Sequence, residues 1–140
     1  MSLSFVSIEE GTTLSLSNVR YGYFDAKISG RGYNDGGFSA ERNVFCGFNE
    51  RDAAGFFNFW DLAAQGQSDI RWCSIESELE LLVIEQSVND IDLKVVIAQE
   101  FDSADTWSVS GSIYIDREWL LRNMETIKTF SQVIKECQRV

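Results

Sequence analysis

Three glutamates alternate along one short stretch, Glu76, Glu78 and Glu80, with Trp72 just before them. Carboxyl groups two residues apart on an extended strand sit about 6.5–7 Å from each other. That falls within the roughly 5–10 Å between the two carboxyl groups of a glycosidase. Any strand with alternating acids meets this spacing, however, and catalysis also requires a cleft and a perturbed proton affinity. Solvated carboxylates are therefore the reading the spacing favours. Asp90, Asp92 and Asp102 offer oxygen ligands to Mg²⁺ or Ca²⁺, yet they lack the EF-hand pattern. Cys73 lies between Trp72 and Ser74, and acts as a nucleophile only beside a base or a cation such as Arg71. A buried, inert thiol is the simpler expectation, because cysteine is among the most buried residue types. Gly30-x-Gly32 opens like a phosphate cradle, but no third glycine follows at the required position, and a strand rather than a helix comes next.

The residue that is missing narrows the chemistry further. The chain has no histidine, which removes the Ser-His-Asp and Cys-His nucleophile systems, HExxH metalloproteases and histidine-ligated iron. Cys46, Cys73 and Cys137 are too widely spaced for a zinc site, and their odd number without a CxxC motif fits a reducing compartment. The reading is a cytoplasmic protein, leaning away from enzymes, with no catalytic residue, cofactor or metal set assigned. No stretch approaches the roughly 20 apolar residues that span a bilayer, and the N-terminus lacks the pattern of a signal peptide. At 140 residues, with 44% hydrophobic and 13% aromatic residues, one globular domain covering 1–140 is expected.

The elements that would carry these side chains follow from periodicity. Leu3–Phe5, Leu14–Leu16 and Tyr23–Ser29 alternate as strands. Residues 30–37, rich in glycine with Asp35-Gly36, read as a hairpin loop returning through Phe38 to Phe48. A helix is predicted over 50–65, with Asn49 as N-cap and Gly66 as stop. Ala53, Phe56, Phe57, Trp60 and Ala64 form its apolar stripe, widened by Phe59 and Leu62. One long strand is expected over 70–85, with Ile75, Leu79, Leu81 and Val83 on its core face. A turn at 87–90 and two further strands follow, through Ile91–Ile97 and Trp107–Ile115. Asp116 should cap a last helix with a stripe of Leu120, Met124, Ile127, Phe130, Ile134 and Cys137. The fold class is α+β: one antiparallel sheet of six or seven strands carrying two helices, in the order strands, helix, three strands, helix.

Charge is concentrated in one part of that sheet. Residues 74–105 hold nine acids against Lys94 alone, so they carry −8 of the chain's net −10. If 70–85 is one strand, Trp72, Glu76, Glu78 and Glu80 share its outer face with Leu82 and Ile84. Asp92, Lys94, Val96 and Ala98 then lie beside them on the neighbouring strand. Such a face suits a basic partner, with apolar groups giving affinity and carboxylates steering the encounter. The bland alternative is a merely solubilising acidic face. The sign of the charge disfavours nucleic-acid phosphates.

The segment Trp72-Cys73-Ser74-Ile75-Glu76-Ser77-Glu78-Leu79 reads W-x-S-x-E-x-E-L. Before it stands the aromatic helix with Phe56, Phe59 and Leu62; after it come the Leu93/Val95/Ile97 strand, Trp107-Ser108-Val109, and a C-terminal helix with Leu120 and Phe130. In this order the features, over about 20–135, resemble a family of small uncharacterised bacterial proteins. Their layout is also similar to that of immunity proteins that neutralise polymorphic toxins. The resemblance implies no reaction. It implies a shared structural or binding role for Trp72, Ser74, Glu76 and Glu78. The −8 segment, the mixed outer face and the lack of catalytic residues make a non-enzymatic bacterial binding protein, of the type of an immunity inhibitor of a basic toxin, the leading expectation. The residues expected to meet the partner are Trp72, Glu76, Glu78, Glu80 and Asp92. The competing expectations are a ligand pocket between sheet and helices, lined by Trp60, Trp72, Trp107 and Tyr114, and a homodimer through the apolar part of the outer face.

Overall fold

The computed structural model describes residues 2–7, 11–20, 22–31, 37–45, 50–74, 76–99 and 106–137. Four strands come first: β1 (Leu3–Val6), β2 (Thr13–Arg20), β3 (Tyr23–Arg31) and β4 (Gly37–Phe45). Helix α1 (Glu50–Ala64) follows. Then come β5 (Ile70–Cys73), β6 (Leu79–Gln86), β7 (Asp90–Gln99), β8 (Trp107–Asp116) and α2 (Arg117–Cys137). Each half is thus a four-strand meander that ends in a helix. The hairpin loop expected at 30–37 and the Asn49 cap fall mainly or wholly outside the described residues.

The α+β class and the antiparallel pairing agree with the sequence reading, but the single sheet does not. The strands form two four-stranded sheets, ordered β1-β2-β3-β4 and β5-β6-β7-β8. The reason is topological. Helix α1 separates β4 from β5, so those two strands are not obliged to pair, and alternation reveals which face is buried rather than which strand is the neighbour.

The inner faces of both sheets and one face of each helix meet in one apolar cluster. Leu14, Leu16, Phe24 and Ile28 of the first sheet and Leu81, Leu93, Val95 and Ile113 of the second are fully buried. Gly111 lets the sheets approach, because a Cβ there would lie 3.0 Å from Ile28 Cδ1. Aromatic rings join the layers. Phe5 of β1 stacks on Trp60 of α1 with centroids 4.3 Å apart. Phe130 of α2 meets Phe24 at 5.8 Å and Phe56 at 5.9 Å. On α1 the buried stripe runs through Phe56, Phe59, Trp60 and Ala63, while Phe57 and Ala64 are only partly buried, so the stripe is rotated from the expected one.

Both helix boundaries read from the sequence hold where they are described. Gly66, at φ +91°, donates its N–H to Ala63 O, and Gln67 donates to Leu62 O; this pair of bonds is a Schellman stop. Asp116 Oδ1 accepts the N–H of Glu118 at 3.4 Å and so caps α2. Among the described residues, no helix is long and apolar enough to cross a membrane.

Candidate functional site

The acidic segment does not run as one strand. It folds back between β5 and β6, with Ser77 N–H bonded to Ser74 O and Ser74 N–H bonded to Leu79 O. Ser77 adopts φ +61°, the left-handed conformation that reverses the chain. The resulting register pairs Trp72 with Leu81 and Cys73 with Glu80. Even positions on β5 therefore share a face with odd positions on β6. This corrects the expected outward face. Trp72 is buried, 9% exposed, and packs edge-on to Phe56 at 5.3 Å.

Glu78 is buried too, at 3% exposed. Its Oε1 accepts the Ser74 hydroxyl at 2.9 Å, and its Oε2 accepts the backbone N–H of Phe45 at 2.8 Å. Ser74 Oγ in turn accepts the N–H of Leu79 at 3.1 Å, and Glu78 O accepts the N–H of Ala98 at 3.0 Å. The carboxyl group thus fastens the end of β4, in the first sheet, to the β5–β6 turn of the second. Nearby, Arg42 Nη1 donates to Gln99 Oε1 at 2.9 Å, a second polar tie between the sheets. The other two glutamates stay outside. Glu76 is exposed, and Glu80 accepts a 2.8 Å ion pair from Arg71. That hydrogen bond, with the attraction of the Glu80 charge, raises the Arg71 pKa above its ordinary value. The three acids that alternation placed side by side thus have three different surroundings. Cys73 is half-buried, with its thiol donating to Ser77 Oγ at 3.5 Å.

The opposite end of the second sheet is where unpaired acids gather. Between Val83 and Gln86 the β6–β7 register shifts, so Ile84 and Glu85 together oppose Asp92. Such a bulge turns neighbouring side chains toward the same side, and both Ile84 and Glu85 are exposed. Asp92 pairs in turn with Tyr114 of β8. Glu85, Gln86, Ser87, Asp90, Asp92 and Tyr114 line an open groove of about 320 Å³. Among the described residues the ion pairs are Arg20–Asp25 and Arg71–Glu80, and neither reaches this groove.

Arg117 lies behind the hairpin that carries the groove, and sequence reasoning gave it no role. Its Nε donates to Val88 O at 2.9 Å and its Nη2 to Ser87 O at 3.0 Å and to Gln86 Oε1. Its Nη1 reaches Ala63 O and Ala64 O, the last carbonyls of α1, at 3.4 and 3.3 Å. Helix α1 has no basic residue in its own last turn, so Arg117 supplies from α2 the positive charge that a helix C-terminus favours. The only signal in the sequence was that unassisted last turn. Gln86 adds bonds from Nε2 to Ala63 O and Gln67 O. The hairpin is therefore held against α1 and α2 by a cation whose donors point at carbonyl and amide oxygens, not at the acids.

The aromatic pocket expected from Trp60, Trp72, Trp107 and Tyr114 is not assembled. Trp60 and Trp72 are in the core, and Trp107 is 38% exposed on β8. A different cleft, also about 320 Å³, lies between β1, β8 and α2, lined by Ser4, Val6, Ser7, Ile115, Asp116, Trp119 and Arg122. Among the described residues no cluster of three or more Cys, Asp or Glu is arranged to hold a metal ion. No protein-family model matches the chain, and comparison with curated proteins gives no match either.

Proposed function

We propose that this chain is a non-enzymatic bacterial binding domain of the immunity type, which captures a basic protein partner at the groove of the β6–β7 hairpin. The observation that carries the reading is the state of Glu85, Asp90 and Asp92. They converge on one concavity with no cation partner among the described residues, on a hairpin that Arg117 holds in place. Such a surface raises the local concentration of positive charge and speeds encounter with a basic partner at low salt. Exposed Ile84, at 59%, and Val88, at 85%, flank the acids as apolar anchors. Asp92 keeps the partner-facing role given by the sequence. Glu76 and Glu80 lie toward the other end of β6 and extend the acidic surface there, while Trp72 and Glu78 support it from inside.

The test is affinity capture from the native host at low salt, compared with a Glu85→Lys/Asp92→Lys double variant. Recovery of a basic protein by the wild type, lost with the variant and with added salt, supports the proposal. Equal recovery by both proteins overturns it. The cleft beside Trp119 favours a second reading, a small-ligand site with Asp116 and Arg122 at its rim. It would be revealed by ligand-induced thermal stabilisation that Trp119→Ala abolishes.

A further inference from the structure

Four strands form the edges of the two sheets: β1, β4, β5 and β8. Exposed edges invite pairing with other chains unless they are short, charged or covered. Strands β1 and β5 have four residues each, and β4 carries Glu41 and Arg42. Strand β8 is ten residues long, and it runs along β7 from Gln99↔Trp107 to Asp90↔Asp116 without a register shift. From Thr106 to Ile115 it contains no charged residue and no proline, in a chain of net charge −10.

Two hydrogen bonds establish which β8 backbone groups point away from β7. Ala98 pairs with Ser108, yet its N–H goes to Glu78 O on the other side of β7. Tyr114 pairs with Asp92, yet its N–H goes to Ser7 Oγ at 3.3 Å. In an antiparallel ladder the backbone groups of alternate residues point to opposite sides. The N–H and C=O groups of Ser108, Ser110 and Ser112 therefore face away from β7, and they have no partner among the described residues. Ser7 closes the far end of this row at Tyr114, and the three serines are exposed.

We infer that two copies of this chain associate through β8, antiparallel and about a two-fold axis at Ser110. That register places Ser110 opposite its own copy and Ser108 opposite the partner's Ser112. Those are the residues whose outward backbone groups have no partner among the described residues, so each pair exchanges two hydrogen bonds. On the inner side Val109 then stands opposite the partner's Gly111. No like charges meet across the axis, because Thr106 to Ile115 carry none. The contact is isologous, so it closes at two copies. Its small extent makes it reversible and concentration-dependent.

Cysteine trapping tests both the pairing and its register. A hydrogen-bonded pair has Cα atoms about 5.5 Å apart, inside the roughly 4.4–6.8 Å span of a disulfide. Ser110→Cys should therefore give a dimer on mild oxidation, with a 110–110 linkage in the peptide map. Ser108→Cys should give no 108–108 linkage, because the two copies of that residue would lie roughly 13 Å apart along the strands. In sedimentation equilibrium the wild type should associate with rising concentration. Ser110→Pro removes an N–H that β7 does not use and should weaken association at least about tenfold while the folded monomer persists. Ser110→Lys keeps the backbone intact, places two cations on the axis, and should act likewise. A chain that stays monomeric at all concentrations overturns the inference. So does a dimer that both position-110 variants leave intact, or one that cross-links equally from 108 and 110.

Discussion

Where β5 turns into β6, Glu78 is buried and takes hydrogen bonds from a serine and from the backbone of the other sheet. At the far end of the same sheet, Glu85 and Asp92 are exposed, with no ion-pair partner among the described residues. Acids of one kind, a few residues apart in one hairpin, have thus been given opposite work. The difference comes from what each end must join. The β5–β6 turn abuts β4, whose last strand residue presents an N–H that needs an acceptor once water is excluded, and a carboxylate supplies a strong one. The β6–β7 turn abuts the C-terminal end of α1, which presents carbonyls, and those call for the donors of Arg117 and Gln86. Once the joints are satisfied in this way, the remaining acids are left at the surface.

The largest effect that could break this comparison comes from Glu78→Ala. It leaves the Phe45 N–H and the Ser74 hydroxyl without their acceptor, and should destabilise the fold by about 2–4 kcal/mol in urea unfolding. A loss below about 0.5 kcal/mol would mean that Glu78 is no more structural than its neighbours. Arg117→Ala comes next, at about 2 kcal/mol, because it opens the end of α1 and the hairpin together. Faster amide exchange around 86–90 should accompany it. Glu78→Gln should cost about 1 kcal/mol, since the amide oxygen can still accept from Phe45 while its NH₂ donates to Ser74 Oγ. A cost equal to that of alanine would show that charge, not shape, matters at this joint. A smaller effect belongs to the groove. Glu85→Gln with Asp92→Asn should change stability by no more than about 0.5 kcal/mol, while reducing the salt dependence of partner capture. Arg71→Gln, which breaks an exposed ion pair, should leave the unfolding midpoint unmoved.

Most of the strands and both helices were legible because each shows its own period. Leu79, Leu81 and Val83 face the core as alternation required, and so do Leu93, Val95 and Ile97. The turn at 74–78 was not legible. Ser74-Ile75-Glu76-Ser77-Glu78 contains no glycine or proline to mark a reversal, and its serines and glutamates continue the alternation of a strand. The chain turns there by placing Ser77, not a glycine, in the left-handed region. That one reversal switched the parity of Trp72 and hid Glu78. The partition into two sheets was equally invisible, because it depends on contacts between β3, β4 and β7, far apart in the chain. Of the residues expected to meet a partner, Glu76, Glu80 and Asp92 reach the surface. Glu85 and Asp90 joined them only through the bulge and the neighbouring turn.

The bond between Arg117 and the end of α1 also bears on how the protein is made. Strands β1 to β4 and helix α1 leave the ribosome first, with Phe5 and Trp60 both present and able to stack. The guanidinium that closes the helix arrives 53 residues after Ala64, a delay of roughly 3–10 s at ordinary rates of synthesis. During that interval the first half can assemble its meander, but the Ala64 carbonyl at the end of its helix lacks the Arg117 donor and its inner face awaits the second sheet. Completion of the N-terminal half is therefore withheld until the last helix begins to emerge.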